Sequence, residues 1–230
     1  MNMAKEKENI PLKDVGNVLS KVELYIEENQ KSLTIILIAI LIIIAAFFAF
    51  KNFYLIPADK EAQEEMYMAE KYFELDSFRL ALEGSQGNLG FLDIIKDYRL
   101  TKSANLAYYY AGICYLNLGE FEEAIKYLKK FDSNDKVINT IAIGSMGDAY
   151  LELGDKKKAV ELFLKAAENI KNNITSPLYL RKAALVYEDI NKNKEALKLY
   201  KKIKSEYPRS PFANDIDKDI ERLSYQIEKK

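Results

Sequence analysis

The sequence predicts an all-α protein: a single N-terminal transmembrane helix, then an α-solenoid of paired helices, then a C-terminal capping helix. Three observations carry this reading. An uncharged run of nineteen residues, Ser32 to Phe50, lies near the N-terminus. Small and aromatic residues then recur in the same order at displacements of thirty-five and thirty-seven residues. The last segment sets one apolar stripe among many charges. An apolar run of that length, an internal repeat and a helical period are three separate signals, and none of them calls for a strand.

Residues 1–31 form a tail. Val15, Val18, Leu19, Val22, Tyr25 and Ile26 recur at three- and four-residue steps, which places them on one face of a helix. Two readings cover that stripe: a docking helix for a cytosolic or membrane partner, or a helix resting at the lipid headgroups. Six acids against five lysines give the tail no strong attraction to anionic lipid.

Residues 32–55 form the anchor. At about 1.5 Å per residue the uncharged run reaches roughly 28 Å as a helix, close to the hydrocarbon thickness of a bilayer. Lys31 and Lys51 bracket it, and no Ala-x-Ala pattern follows Phe50, so the reading is an uncleaved anchor rather than a signal peptide. Asn52, Phe53 and Tyr54 suit the far interface. Flanking charge is nearly neutral as an orientation signal, with Lys13, Lys21 and Lys31 before the span and Lys51 and Lys60 after it. A short tail ahead of a single span most simply stays in the cytoplasm, which sends the large C-terminal part across.

Residues 58–230 form one repeat domain. Tyr108, Gly112, Tyr115, Gly119, Ala124 and Leu128 align with Ile143, Gly147, Tyr150, Gly154, Ala159 and Phe163. A third copy supplies Leu180, Ala184, Tyr187, the Asn191–Asn193 turn, Ala196, Tyr200 and Pro208. Two antiparallel helices approach closely only where a side chain is almost absent. Gly112, Gly147 and Ala184 leave that gap on the first helix of each pair, and Ala124, Ala159 and Ala196 leave it on the second, with aromatic and aliphatic residues filling around each contact. Gly119 and Gly154 end the first helices in the left-handed conformation that glycine adopts without strain. The repeats fall near 105–138, 140–173 and 177–210. A degenerate copy over 62–100 keeps Met68, Ala69, Tyr72, Phe78 and Ala81 in order. It carries an insertion with Gly84, Gly87 and Gly90 and a short helix through Phe91, Ile94, Ile95 and Tyr98, expected as a flexible loop and a packed helix. No Gly-Lys-Ser/Thr follows these glycines and no strand precedes them, so they make no phosphate loop. Phe212, Ile216, Ile220, Leu223 and Ile227 give the cap, 211–227, its buried face.

The residues present exclude several classes of function. With no histidine the chain has no imidazole base and little means of zinc ligation, and one cysteine permits no internal disulfide. Thirty-four basic against thirty-five acidic residues lack the positive excess of a nucleic-acid binder. Glu122-Glu123 and the lysine clusters Lys156–Lys158 and Lys201, Lys202 and Lys204 read as solvated faces. Cys114 falls beside a small-residue contact and reads as a buried hydrophobe. No catalytic residue, cofactor site, metal site or nucleic-acid partner is predicted; the partners expected are proteins, and the membrane through one helix.

The aligned positions strongly resemble the tetratricopeptide repeat, whose length is about 34 residues. That resemblance implies binding along the concave surface of the first helices. Groove positions are then Leu106, Tyr109, Ile113, Leu116 and Asn117; Ile141, Gly144, Asp148, Leu151 and Glu152; and Leu178, Arg181, Leu185, Glu188 and Asp189. Co-chaperones of the family clamp an acidic peptide end with lysine, asparagine and arginine. Here the clamp positions hold Tyr109, Ile113, Ser145, Leu178 and Lys182, so only Lys182 keeps the charge type. An extended apolar segment or a partner helix suits this surface better.

Over nearly its whole length, including Glu28-Asn29-Gln30-Lys31 and the stretch from Gly90 through Thr101 to Gly112, the chain resembles the YfgM-type ancillary subunit of the bacterial Sec translocon. The resemblance implies a single-pass protein of the bacterial inner membrane with a cytoplasmic N-terminus and a periplasmic repeat domain. Its implied partners are translocon subunits, periplasmic chaperones and unfolded secretory chains. The expected function is a non-catalytic adaptor; the alternative is a structural scaffold for an envelope or cell-division complex.

Overall fold

The computed structural model describes residues 23–229. Two compact units divide the chain, Met1–Leu55 and Ile56–Lys230. Val15, Val18, Leu19 and Val22 of the expected tail stripe lie outside the described residues. Tyr25 and Ile26 sit in a helical stretch over residues 23–28 with their side chains exposed.

In the first unit, α1 spans Gln30–Phe50 and buries none of its residues. Its apolar side chains point outward on every face, and its backbone groups are bonded within the helix, as hydrocarbon surroundings require. The Thr34 hydroxyl, one of its few polar groups, donates to the Gln30 carbonyl at 2.7 Å. By length and composition this is the one helix among the described residues apolar enough to cross a membrane. A π-helical turn, Lys51–Leu55, follows, and in it Tyr54 stacks on Phe50 with ring centroids 5.1 Å apart.

The second unit is helical throughout: α2 Ile56–Glu74, α3 Phe78–Glu83, α4 Phe91–Asp97, α5 Lys102–Asn117, α6 Phe121–Leu128, α7 Lys136–Glu152, α8 Lys156–Asn169, α9 Thr175–Asp189, α10 Asn193–Glu206, a 3-10 turn at Pro211–Ala213, and α11 Ile216–Glu228. Each helix packs on the next, and the pairs α5/α6, α7/α8 and α9/α10 are the three expected repeats. The gaps left by small residues are filled as the steric argument requires. A Cβ added at Gly112 would fall 2.5 Å from Leu128 Cγ, and one at Gly147 would fall 2.7 Å from Phe163 Cε1. Leu128, Phe163 and Tyr200 are fully buried, as are Ala124, Ala159 and Ala196 one turn before them on the same helices.

The first helices end alike. In α5 the N–H of Glu120 donates to the Tyr115 carbonyl at 2.9 Å; Asp155 donates to Tyr150 at 2.9 Å, and Lys192 to Tyr187 at 2.8 Å. The residue before each donor is left-handed, with φ of 77° at Gly119, 81° at Gly154 and 59° at Asn191. This is the Schellman closure, in which a helix satisfies its last carbonyls by turning back on itself. The degenerate copy closes the same way: Ser77 N–H donates to Tyr72 at 2.9 Å, with Asp76 at φ 54°. The structure therefore makes α2/α3 a fourth helix pair.

The glycine insertion after α3 is not a flexible loop. It is a tight two-residue turn in which Ser85 and Asn88 exchange backbone hydrogen bonds of 3.1 and 2.9 Å around Gln86 and Gly87, both at positive φ. Gly84 and Gly90 meet back to back, so that a Cβ on Gly90 would overlap the Leu82 carbonyl at 2.2 Å. The backbone N–H groups of Gly84, Ser85, Asn88 and Gly90 are used internally. The turn delivers Phe91 into the core, where its ring stacks on Tyr110 at 4.9 Å and meets Phe73 edge-on at 6.4 Å. Asp59, in the first turn of α2, accepts from both the backbone N–H and the hydroxyl of Ser103 at 2.9 Å, which ties α2 to α5.

Candidate functional site

The helix contacts of the second unit decide which side is hollow. First helices of successive pairs touch one another: α2 with α5, α5 with α7, and α7 with α9. Among the described residues the second helices α6, α8 and α10 make no such contact with each other. Helices packed closely on one side and spread on the other produce a curved stack, with the first helices on its inner face.

Along that face the expected groove residues divide into three groups. In α5, Leu106, Tyr109, Ile113 and Leu116 are half-buried and only Asn117 is exposed. The Tyr109 ring packs on Phe131 at 5.4 Å and on Tyr110 at 5.6 Å, and burial pushes its phenol above the ordinary range. In α7, Gly144 is covered by the Tyr179 ring; a Cβ there would lie 2.1 Å from Tyr179 Cε1. Ile141 is half-buried, as are Asp148 and Leu151, while Glu152 is exposed.

In α9 the side chains part company. Arg181 faces the cap, beside Pro211, Phe212, Ile216 and Asp219. Glu188 also belongs to the cap contact: it accepts from Arg222 of α11 at 2.6 and 3.1 Å and from the Tyr200 hydroxyl at 2.7 Å. Burial alone would raise the Glu188 carboxyl, but those hydrogen bonds outweigh it and hold the group below its ordinary value. Leu185 points the other way and is 49% exposed.

Leu185 marks an open pocket of about 230 Å3, lined by Asp148 and Leu151 of α7, Phe163 of α8, and Lys182, Leu185, Val186 and Asp189 of α9. The structure thus gathers Asp148, Leu151, Leu185 and Asp189 of the expected set. It adds Phe163, expected as a filler of the helix contact, Lys182, expected at a clamp position, and Val186, which sequence reasoning left without a role. Lys182 reaches across from α9 to Asp148 at 2.7 and 2.8 Å, with its ammonium 5.5 Å from the Phe163 ring centroid and 5.9 Å from that of Tyr179. Burial raises the Asp148 carboxyl despite that partner, which marks a weakly solvated back wall. At the mouth Lys156 pairs with Asp189 at 2.7 Å.

Nothing in this arrangement activates a nucleophile. Cys114 is fully buried, and burial pushes its thiol up to about 12, far from the thiolate that chemistry needs.

Three segments match family models for the tetratricopeptide repeat: residues 106–135, 142–173 and 179–210. No curated protein matches the sequence. Among solved structures, the chain is similar to the crystal structure of nearly identical TPR-like repeats of a Podosopora anserina kinesin light chain. That match has a TM-score of 0.55 and 14% identity, and covers 75% of this chain and 89% of the other. The second unit is therefore an all-helical, tetratricopeptide-like solenoid. Repeats of this kind are generally non-catalytic scaffolds for protein interaction, and protein partners in general follow from their presence.

Proposed function

We propose that this chain is a membrane-anchored adaptor that holds segments of other proteins on the inner face of its repeats, at the periplasmic side of a bacterial inner membrane. The observation that carries the binding part is the open pocket beside Leu185, where an aliphatic side chain half in water adds little to folding and gains on being covered. Support for the anchor comes from α1, apolar on every face. Support for a place beside the Sec translocon, assisting it or periplasmic chaperones with secretory clients, comes from the resemblance of the tail-end, span and Gly90–Gly112 segments to the YfgM-type subunit.

The test is crosslinking in living cells from a photoreactive residue placed at Leu185, followed by purification of the chain from solubilised membranes. Translocon subunits and emerging secretory chains should be recovered. Recovery of division or envelope-assembly proteins in their place would establish the scaffold alternative and overturn the translocon reading.

A further inference from the structure

The charges around the pocket narrow what it accepts, given that the inner face binds protein at all. Three charged side chains line it, Asp148, Lys182 and Asp189, and two more adjoin those, Lys156 and Glu152. Two cations are already engaged, Lys182 by Asp148 at 2.7 Å and Lys156 by Asp189 at 2.7 Å. Lys182 also lies over the Phe163 ring, its ammonium 5.5 Å from the centroid. The fifth, Glu152, is exposed and makes no ion pair among the described residues. It follows Leu151 directly and stands one turn beyond Asp148 on α7, where its charge adds to the upward pull on the Asp148 carboxyl. Next to an apolar wall of Leu151, Phe163, Leu185 and Val186 there is thus one carboxylate without an ion pair, Glu152, while both neighbouring cations, among the described residues, are engaged.

We propose that the pocket takes a large apolar side chain from a protein segment with an adjacent lysine or arginine, the cation seating on Glu152. An acidic segment meets the reverse: its charge falls beside Glu152 and can gain a cation only by breaking Lys182 from Asp148 or Lys156 from Asp189. The charge preference of the acidic-peptide clamps is thus inverted in this chain. Aromatic or long aliphatic side chains fill such a space with specific contacts to Phe163, and the flanking cation supplies the selectivity.

The full chain in nanodiscs of zwitterionic lipid, with empty nanodiscs as the blank, provides the test. Short fluorescent glycine–serine peptides carrying a Phe–Arg pair, a Phe–Glu pair or an Ala–Arg pair are titrated and followed by anisotropy. The Phe–Arg peptide should bind about fivefold or more tightly than either other, the scale of one exposed ion pair or one partly covered ring. Glu152→Lys should reverse the order of the Phe–Arg and Phe–Glu peptides, and Leu185→Ser should weaken both Phe peptides. Both substitutions are at exposed positions, and unchanged thermal melting confirms that the variants fold. Equal binding of the Phe–Arg and Phe–Glu peptides, both still weakened by Leu185→Ser, would overturn the charge preference and leave the groove as a binding surface. Binding that is absent or indifferent to Leu185→Ser would overturn the groove itself.

Discussion

At the turn inside each helix pair one residue has to be left-handed, and the four pairs meet that demand with different side chains. Gly119 and Gly154 do so freely, whereas Asp76 and Asn191 hold φ of 54° and 59° in the same place. A Cβ in this conformation crowds the following carbonyl, which asparagine and aspartate tolerate best because their short polar ends bond locally. Gly154→Ala should therefore cost about 1 kcal/mol of stability. Asp76→Gly should change it by less than about 0.5 kcal/mol, since relief of strain is offset by a looser unfolded chain. Urea unfolding of a fragment spanning residues 56–230 checks both. A penalty at Gly154 no larger than the change at Asp76 would mean that the turns are not equivalent. The glycines were legible in the sequence because few positions require glycine. Asp76 was not, because aspartate is as much at home in a cap or an ordinary turn.

Between elements, the decisive contacts are those of a large side chain over a missing one. Phe163 lies where a side chain on Gly147 would stand, and both elements are held on their other faces, so neither can retreat. Gly147→Leu or Ala159→Leu should lower stability by about 1–3 kcal/mol, or more if the backbone must separate. Thermal melting at the wild-type value in both variants would disprove the packing described. The cap makes a second prediction, through acid. The Glu188 carboxyl is held below the ordinary glutamate value of 4.5, with burial opposing and the Arg222 and Tyr200 hydrogen bonds prevailing. A carboxyl depressed in the folded state contributes stability that is complete above its unfolded value and disappears as pH falls through its folded value. Loss of the α11 contact should therefore begin below about pH 4.5. Glu188→Gln should remove about 1–2 kcal/mol at neutral pH, discounted for the exposure of Arg222, and flatten the acid limb of the stability profile. Denaturant midpoints measured between pH 3 and pH 7 would show it, and an unchanged acid limb would release Glu188 from that role.

For the molecule as a whole, the reading proposed above puts the repeat unit across the membrane from the tail. A C-terminal alkaline phosphatase fusion should then be active in cells, and a fluorescent reporter that folds only in the cytoplasm should stay dark at the same position. The opposite pair of results would place the repeats in the cytoplasm and remove the periplasmic adaptor from consideration.

The repeat register, the helix ends that glycine marks and the uncharged span were all determined by the sequence alone. Each depends on the volume, the polarity or the backbone freedom of residues close together along the chain, and a repeated spacing displays those directly. Which groove positions are open was decided only by the tertiary structure. Tyr109, Glu188 and Leu185 all fall at inner-face positions of the repeat, yet Tyr109 is packed against Phe131, Glu188 is held by Arg222 of the cap, and Leu185 stands half in water. Lys182 holds the one clamp position that keeps its charge type, and is neutralised by Asp148, thirty-four residues earlier. These outcomes turn on which distant side chain reaches a position first, and that competition is settled by helices brought together from remote parts of the chain.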